Sequence, residues 1–211
     1  MTNIDRINKK IVDRDFEIGI VGLGYVGLPL ALEFCSKKFR VVGFDIDSAK
    51  VDSINRGESY IRHINRSRIQ SPVAAKVFRA TTEFREVNQV NAVIICVPTP
   101  LTSHREPDLS FIEETARKIA PHIKTNQLIT LESTTYPGTT EEVLKPILEG
   151  VSGLKAGVDF FLAYSPERED PNNAVYTTAT IPKVVGGYTA DCLQVAEKLY
   201  GEIIVKTVPV S

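Results

Sequence analysis

The chain has 211 residues, 43% hydrophobic and 24% charged, with 25 Lys plus Arg against 26 Asp plus Glu and a formal charge of -1. These proportions exclude a disordered tail, a collagen-like repeat and a disulfide-stapled miniprotein, and they suit one sizeable domain. With no basic surplus a nucleic-acid partner is not expected, and the longest uncharged stretch, Ile18–Leu32, is broken by Gly22, Gly24, Gly27 and Pro29, short of the roughly 18 apolar residues of a membrane span. In chain order, residues 1–15 predict a short amphipathic helix, with Ile4, Ile7 and Ile11 on one face, as an extension ahead of a domain over 16–211. Phe16–Val21 reads as a buried strand, Tyr25–Lys37 as a helix, Arg40–Asp45 as a second strand and Ala49–Asn55 as a helix. Gly57–Asn65 reads as a loop and Lys76–Ala80 as a weak strand. Asn91–Val97 carries six consecutive apolar residues, which predicts burial on both faces. Leu109–Ala120 follows as a helix with Asp108 as its N-cap. Next come a strand at Gln127–Leu131, a helix at Thr140–Leu148 stopping at Gly150, and a strand at Phe160–Tyr164. A loop over Ser165–Thr180, strands at Lys183–Val185 and Ile203–Val208 and a helix at Ala190–Tyr200 complete the reading. This alternation predicts an α/β fold, a Rossmann-like, doubly wound and mostly parallel sheet with helices on both faces.

The opening residues MTNIDRINKKIVDRD are too charged for a secretory signal. Three cysteines without a CxxC pair suit a reducing compartment, so a cytoplasmic location is expected. Ending at Pro209–Val210–Ser211 directly after a strand, the sequence reads as a piece of something longer.

Gly22-Leu23-Gly24-Tyr25-Val26-Gly27 is GxGxxG between a predicted strand and a predicted helix. In that setting Gly22 permits the tight turn, Gly24 has no side chain to block a pyrophosphate, and Gly27 lets helix and strand pack closely. The helix N-terminus then offers N–H groups and partial positive charge to phosphates. Asp45 ends the next strand 23 positions after Gly22, near the roughly 20 expected for the acid that binds the adenosine ribose. A carboxylate there repels a 2′-phosphate, and Ile46-Asp47-Ser48-Ala49 supplies no arginine to hold one, so NAD is favoured over NADP. Lys50 is a candidate ribose or phosphate contact, balanced against a solvated helix-face lysine. Pro29, about five residues into the predicted helix, predicts a kink beside the turn.

Ligands of doubly wound sheets bind beyond the carboxyl ends of the strands. Later strands end in Val97-Pro98-Thr99-Pro100, in Glu132-Ser133-Thr134-Thr135 and in Ser165-Pro166-Glu167-Arg168. The prolines stiffen the turn that holds the Thr99 hydroxyl, and Glu167 and Arg168 stand where a base and a sugar or phosphate contact are useful. Each alone reads as a cap or a solvated loop charge; together they form a rim. His63, His104 and His122 lie far apart, so no metal is expected. His63 and His104, each beside an arginine, are read as loop residues, with phosphate or subunit contact as the functional option.

GLGYVGLPLA, GFDID, CVPTP, PDLS, ESTTYPGTT and YSPEREDP together resemble the NAD-dependent nucleotide-sugar 6-dehydrogenases from about Ile18 onward. The likeness is strongest to their bacterial UDP-N-acetylglucosamine 6-dehydrogenase branch; UDP-glucose and UDP-N-acetylmannosamine dehydrogenases are the near alternatives. The resemblance implies oxidation of the sugar C6 alcohol to a carboxylate with two NAD in succession, through a thioester on a cysteine. It implies that Tyr25, Val26, Asp45, Lys50, Thr99 and Thr134 contact NAD, and that Thr134 also helps hold a catalytic water. It implies acid–base work by Glu167 in thioester hydrolysis, and contact between the UDP-sugar and the loop of Glu167 and Arg168. The family's nucleophilic cysteine and its lysine on a central helix belong to motifs that this sequence lacks. Cys35, Cys96 and Cys192 read as buried small hydrophobes. The chain is therefore expected to be an NAD-binding half that does not turn over sugar alone. It is expected to be monomeric by itself and part of a homo-oligomer in the complete enzyme. The competing readings are a β-hydroxyacid dehydrogenase cofactor domain and a dinucleotide sensor without catalysis.

Overall fold

The computed structural model describes residues 2–101, 106–167 and 181–210. Eight strands form one sheet in the order β3-β2-β1-β4-β5-β6-β7-β8: β1 (Ile18–Val21), β2 (Val41–Phe44), β3 (Phe78–Thr81), β4 (Ala92–Ile95), β5 (Leu128–Leu131), β6 (Phe161–Tyr164), β7 (Lys183–Gly187) and β8 (Thr207–Val210). All neighbours are parallel except β6 and β7. The order reverses between β1 and β4, the place where open α/β sheets form their ligand crevice. The expected α/β, mostly parallel Rossmann-like sheet is present.

Burial explains the pattern of the strands. Ala92–Ile95 is wholly buried, and its alternate side chains enter different cores, Ala92 and Ile94 on one face, Val93 and Ile95 on the other. The first core takes in α1 (Asn3–Val12), α2 (Gly27–Ser36), α3 (Ser48–Asn55), α4 (Arg66–Ala74) and α7 (Ala190–Tyr200). The second takes in α5 (Ser110–Ile119) and α6 (Lys145–Ser152). Thr2 and Asp5 form a capping box on α1, whose Ile7 and Ile11 are buried.

Three expectations are corrected, and one helix appears where the sequence reading assigned nothing. First, α2 begins at Gly27 rather than Tyr25, so Pro29 is its third residue rather than about its fifth, and the bonds on either side of it, Leu28 N to the Gly24 carbonyl at 3.1 Å and Leu30 N to the Val26 carbonyl at 3.2 Å, are kept. Second, α4 arises without a periodic apolar face: only Ile69 is buried and Pro72 lies inside it, but the Asn65 side chain accepts from Ser67 N and starts the helix. Third, Gly150 does not stop the helix that follows β5. A π-helical stretch over Thr139–Leu144 leads into α6, which ends where Gly153 takes φ 75°. Fourth, Ile203 and Ile204 are not in a strand. Their N–H groups donate to the Tyr200 carbonyl, which folds them under the end of α7, and β8 begins at Thr207. Pro209 in β8 is tolerated because β8 is an edge strand.

Candidate functional site

The carboxyl ends of β1, β2, β4, β5 and β6 surround a cavity of about 700 Å³, a size suited to a cofactor. Gly22, Gly24, Tyr25 and Val26 form one wall, Asp45 and Lys50 the next, and Pro98, Thr99, Thr134 and Glu167 the far end. Of the expected site residues within the described chain, only Gly27 does not line it; Arg168 lies outside the described residues, as does His104.

The three glycines do different work. Gly22 has φ 91° and a Cβ there would stand 2.6 Å from the Cys96 carbonyl oxygen, so both dihedral and space demand glycine. A Cβ on Gly27 would lie 1.9 Å from the Gly22 oxygen, which explains why the helix can sit so close to the turn although it does not touch the cavity. A Cβ on Gly24 would meet nothing within 4 Å; it would project into open space. No side chain caps α2; the Leu28 N–H is taken by the Gly24 carbonyl at 3.1 Å, which leaves the positive end of the helix dipole at Gly27 for an anion at the cavity edge.

Asp45 is 6% exposed. Its Oδ2 accepts from Leu23 N at 2.8 Å, its Oδ1 accepts from Asp47 N at 3.0 Å, and Lys50 Nζ stands 3.6 Å from Oδ2. A carboxylate offers about four lone-pair sites, so it can brace the glycine turn and still accept from a ribose hydroxyl. Lys50 is thereby partnered rather than merely solvated. Tyr60 Oη donates to the Leu23 carbonyl at 2.5 Å, so the turn is also held from the Gly57–Asn65 segment. Burial first, then the charges of Asp45 and Asp47, push the Tyr60 phenol up, and it remains a donor. The ring of His63 stacks on exposed Tyr25 with centroids 6.1 Å apart. His122 does not line the cavity.

At the far end, Thr99 Oγ1 donates to the Thr134 carbonyl at 2.6 Å and Ser133 Oγ donates to the Val97 carbonyl at 2.8 Å. Two strand-end turns are thus tied together by the Thr99 and Ser133 hydroxyls. Cys96 lies in the cavity floor at 6% exposure. Burial and then the Glu132 carboxylate push its thiol well above the usual 9.0; Lys183 opposes this and Glu167 adds to it. That is the opposite of a primed nucleophile. Cys35 and Cys192 do not line the cavity. Among the described residues no three His, Cys, Asp or Glu side chains gather where they could hold a metal, and no helix is long and apolar enough to cross a membrane.

Sequence reasoning missed the opposite wall, which Phe84, Phe111, Thr115 and Lys118 supply from the 3-10 turn Phe84–Asn88 and from α5. The one available signal was Phe111, 39% exposed on a helix that otherwise buries its apolar face. Lys118 Nζ lies 5.7 Å above the Phe84 ring, making a wall that is apolar with a cationic edge.

The donors and the open Gly24 cradle fit a dinucleotide, and comparison with known proteins agrees. Residues 16–204 match the NAD binding domain of the UDP-glucose/GDP-mannose dehydrogenase family. Among curated proteins, the UDP-N-acetyl-D-glucosamine 6-dehydrogenase of Pseudomonas aeruginosa is 37% identical over 191 residues, which cover 90% of this chain and 44% of that protein. Among solved structures, the NDP-N-acetyl-D-galactosaminuronic acid dehydrogenase of Methanosarcina mazei Go1 aligns with a TM-score of 0.86 at 31% identity, over 100% of this chain and 47% of that one. The UDP-D-ManNAc dehydrogenase of Pyrococcus horikoshii aligns with a TM-score of 0.86 at 35% identity, over 92% and 47%. The chain therefore spans less than half the length of each of these three relatives.

Proposed function

We propose that this chain, which belongs to the UDP-glucose/GDP-mannose dehydrogenase family and carries its NAD-binding domain, serves as the cofactor half of a UDP-N-acetylhexosamine 6-dehydrogenase. In this reading residues 16–211 are the NAD-binding domain and residues 1–15 a helical extension. UDP-N-acetylglucosamine is the favoured substrate, and its C6 alcohol is oxidised to a carboxylate with two NAD. The observation that carries the reading is the convergence of Gly22, Gly24, Asp45, Thr99, Thr134 and Glu167 on one cavity at the carboxyl edge of the sheet.

Bound NAD would accept the hydride; the chain's own residues bind and orient. Backbone N–H groups of the Gly22–Gly27 turn hold the pyrophosphate. Asp45 accepts from the adenosine ribose and disfavours a 2′-phosphate, with Lys50, Tyr25 and Val26 beside it. Pro98 and Thr99 shape the far end, and Thr134 helps hold the water. Glu167 moves the proton in thioester hydrolysis, and Arg168 touches the substrate. The nucleophilic cysteine is not among Cys35, Cys96 and Cys192, so the 211-residue chain alone binds NAD and does not oxidise sugar. The same reading puts the enzyme in the cytoplasm, in polysaccharide biosynthesis, homo-oligomeric when complete and monomeric as this chain.

Calorimetric titration of the chain with NAD and NADP, followed by NADH production from UDP-GlcNAc, UDP-ManNAc and UDP-Glc by the full-length gene product, tests this. Tighter binding of NAD and turnover of UDP-GlcNAc are expected. NADP preference, no turnover of any UDP-sugar, or NADH formation by the 211-residue chain alone would each overturn the part it addresses.

A further inference from the structure

At the far end of the cavity, where Glu132 is part of the lining, lies a buried polar cluster to which the proposed cofactor contacts give no role. Glu132 after β5, Lys183 at the start of β7 and Tyr200 at the end of α7 are 3%, 5% and 0% exposed. Lys183 Nζ donates to Glu132 Oε1 at 2.6 Å and Tyr200 Oη donates to Glu132 Oε2 at 2.7 Å. Burial, reinforced by the neighbouring Glu132 charge, pushes the Tyr200 phenol well up, so it stays a donor.

The cluster reaches across two turns. Lys183 Nζ is also 3.5 Å from the Pro166 carbonyl oxygen, one residue before Glu167. Ser165 Oγ donates to the Val184 carbonyl at 2.7 Å, and Tyr164 Oη to the Ser133 carbonyl at 3.4 Å. The antiparallel register pairs Tyr164 with Gly186; extended by three residues, it sets Lys183 across from position 167. A parallel strand in this place would deliver its first residue to the opposite edge of the sheet. Stability alone does not explain such a pair, because desolvating two charges costs so much that apolar replacements of similar volume are often as stable or more so.

We infer that Glu132, Lys183 and Tyr200 are positioning residues that lock the Glu132–Thr134 turn to the Ser165–Glu167 turn, so that Thr134 and Glu167 face the reacting end of the cavity at a fixed separation. None of the three touches substrate in this account; they act through the turns they hold. The inference rests on the proposed function for what those turns do, while the lock itself can be measured without it.

The test uses the full-length gene product with the double substitution Glu132→Gln/Lys183→Met, which keeps shape and removes both charges, and the milder Tyr200→Phe. Hydrogen exchange read by mass spectrometry is expected to quicken by about tenfold in peptides over 132–134 and 165–167 and to stay unchanged over the glycine turn. With UDP-GlcNAc, kcat is expected to fall about 100-fold in the double variant and about fivefold in Tyr200→Phe, with NAD affinity and KM within about twofold. Unchanged exchange in both turns overturns the inference, and so does quickened exchange with undiminished kcat. A uniform rise in exchange across the sheet also overturns it, since that marks a general fold element. If the parent protein oxidises no nucleotide sugar, the proposed function fails by itself and the exchange pattern still decides whether the lock exists.

Discussion

Replacing Asp45 with asparagine tests how the acid at the end of β2 works, because the change preserves shape and removes charge. The aspartate accepts from Leu23 N at 2.8 Å and from Asp47 N at 3.0 Å, on separate oxygens, and lies 3.6 Å from Lys50 Nζ. Asparagine has one carbonyl oxygen, so one of those N–H groups must face an NH2 group instead. Losing a hydrogen bond to a charged acceptor costs about 1.5–3 kcal/mol, and the surviving bond weakens towards the neutral range of about 0.5–1.5 kcal/mol. Lys50 is about a third exposed, so its ion pair adds under about 1 kcal/mol. The sum is a loss of about 3 kcal/mol, a large part of a typical stability of about 5–15 kcal/mol. In a chain of this length that lowers Tm by about 6–12 °C. Urea unfolding of Asp45→Asn beside the parent protein measures it. A loss under about 0.5 kcal/mol would refute the claim that this carboxylate braces the glycine turn.

Other outcomes follow from the same geometry. Gly24→Val is expected to fold with an unchanged Tm, because a Cβ there meets nothing within 4 Å, yet to bind NAD at least about tenfold more weakly, or ~1.4 kcal/mol; Gly27→Ala, with 1.9 Å to the Gly22 oxygen, is expected to lower Tm sharply. Thiol titration of the native chain should find Cys35 and Cys96 slow until denaturant is added, since burial pushes Cys35 up to about 12 and Cys96 well above its usual value. Burial tends to raise the Glu202 carboxyl, but the hydrogen bonds and charges of Lys198 and Arg14 outweigh it and hold it below the ordinary 4.5. Its contribution to stability is therefore full above the ordinary value and is lost as pH falls through the lowered one. Glu202→Gln should accordingly show a smaller drop in urea midpoint than the parent between about pH 6 and about pH 3.

Much of this was legible in the sequence because it depends on local requirements. A residue that must take φ 91° against a neighbouring carbonyl has to be glycine, and Gly22 announces this; Asp45 is found by its distance along one crossover. Ala92–Ile95 advertises its double burial through an unbroken apolar run. What stayed hidden depends on partners distant in the chain. α4 owes its existence to the Asn65 cap and one buried isoleucine, too little for a periodic pattern. The Phe84 and Lys118 wall forms only when a 3-10 turn and α5 meet across the β4 end. Glu132 could be named as a strand-end residue, but its bonds to Lys183 and Tyr200 span 51 and 68 positions, and no local pattern encodes such a pairing.

A crystal structure of the chain grown with NAD tests the central claim most directly. The account predicts the pyrophosphate on the backbone of Gly22–Gly27, the adenosine ribose on the Asp45 carboxylate, and the nicotinamide end running past Thr99 and Thr134 towards Glu167. NAD ordered outside this crevice, or with its adenosine ribose away from Asp45, would contradict it.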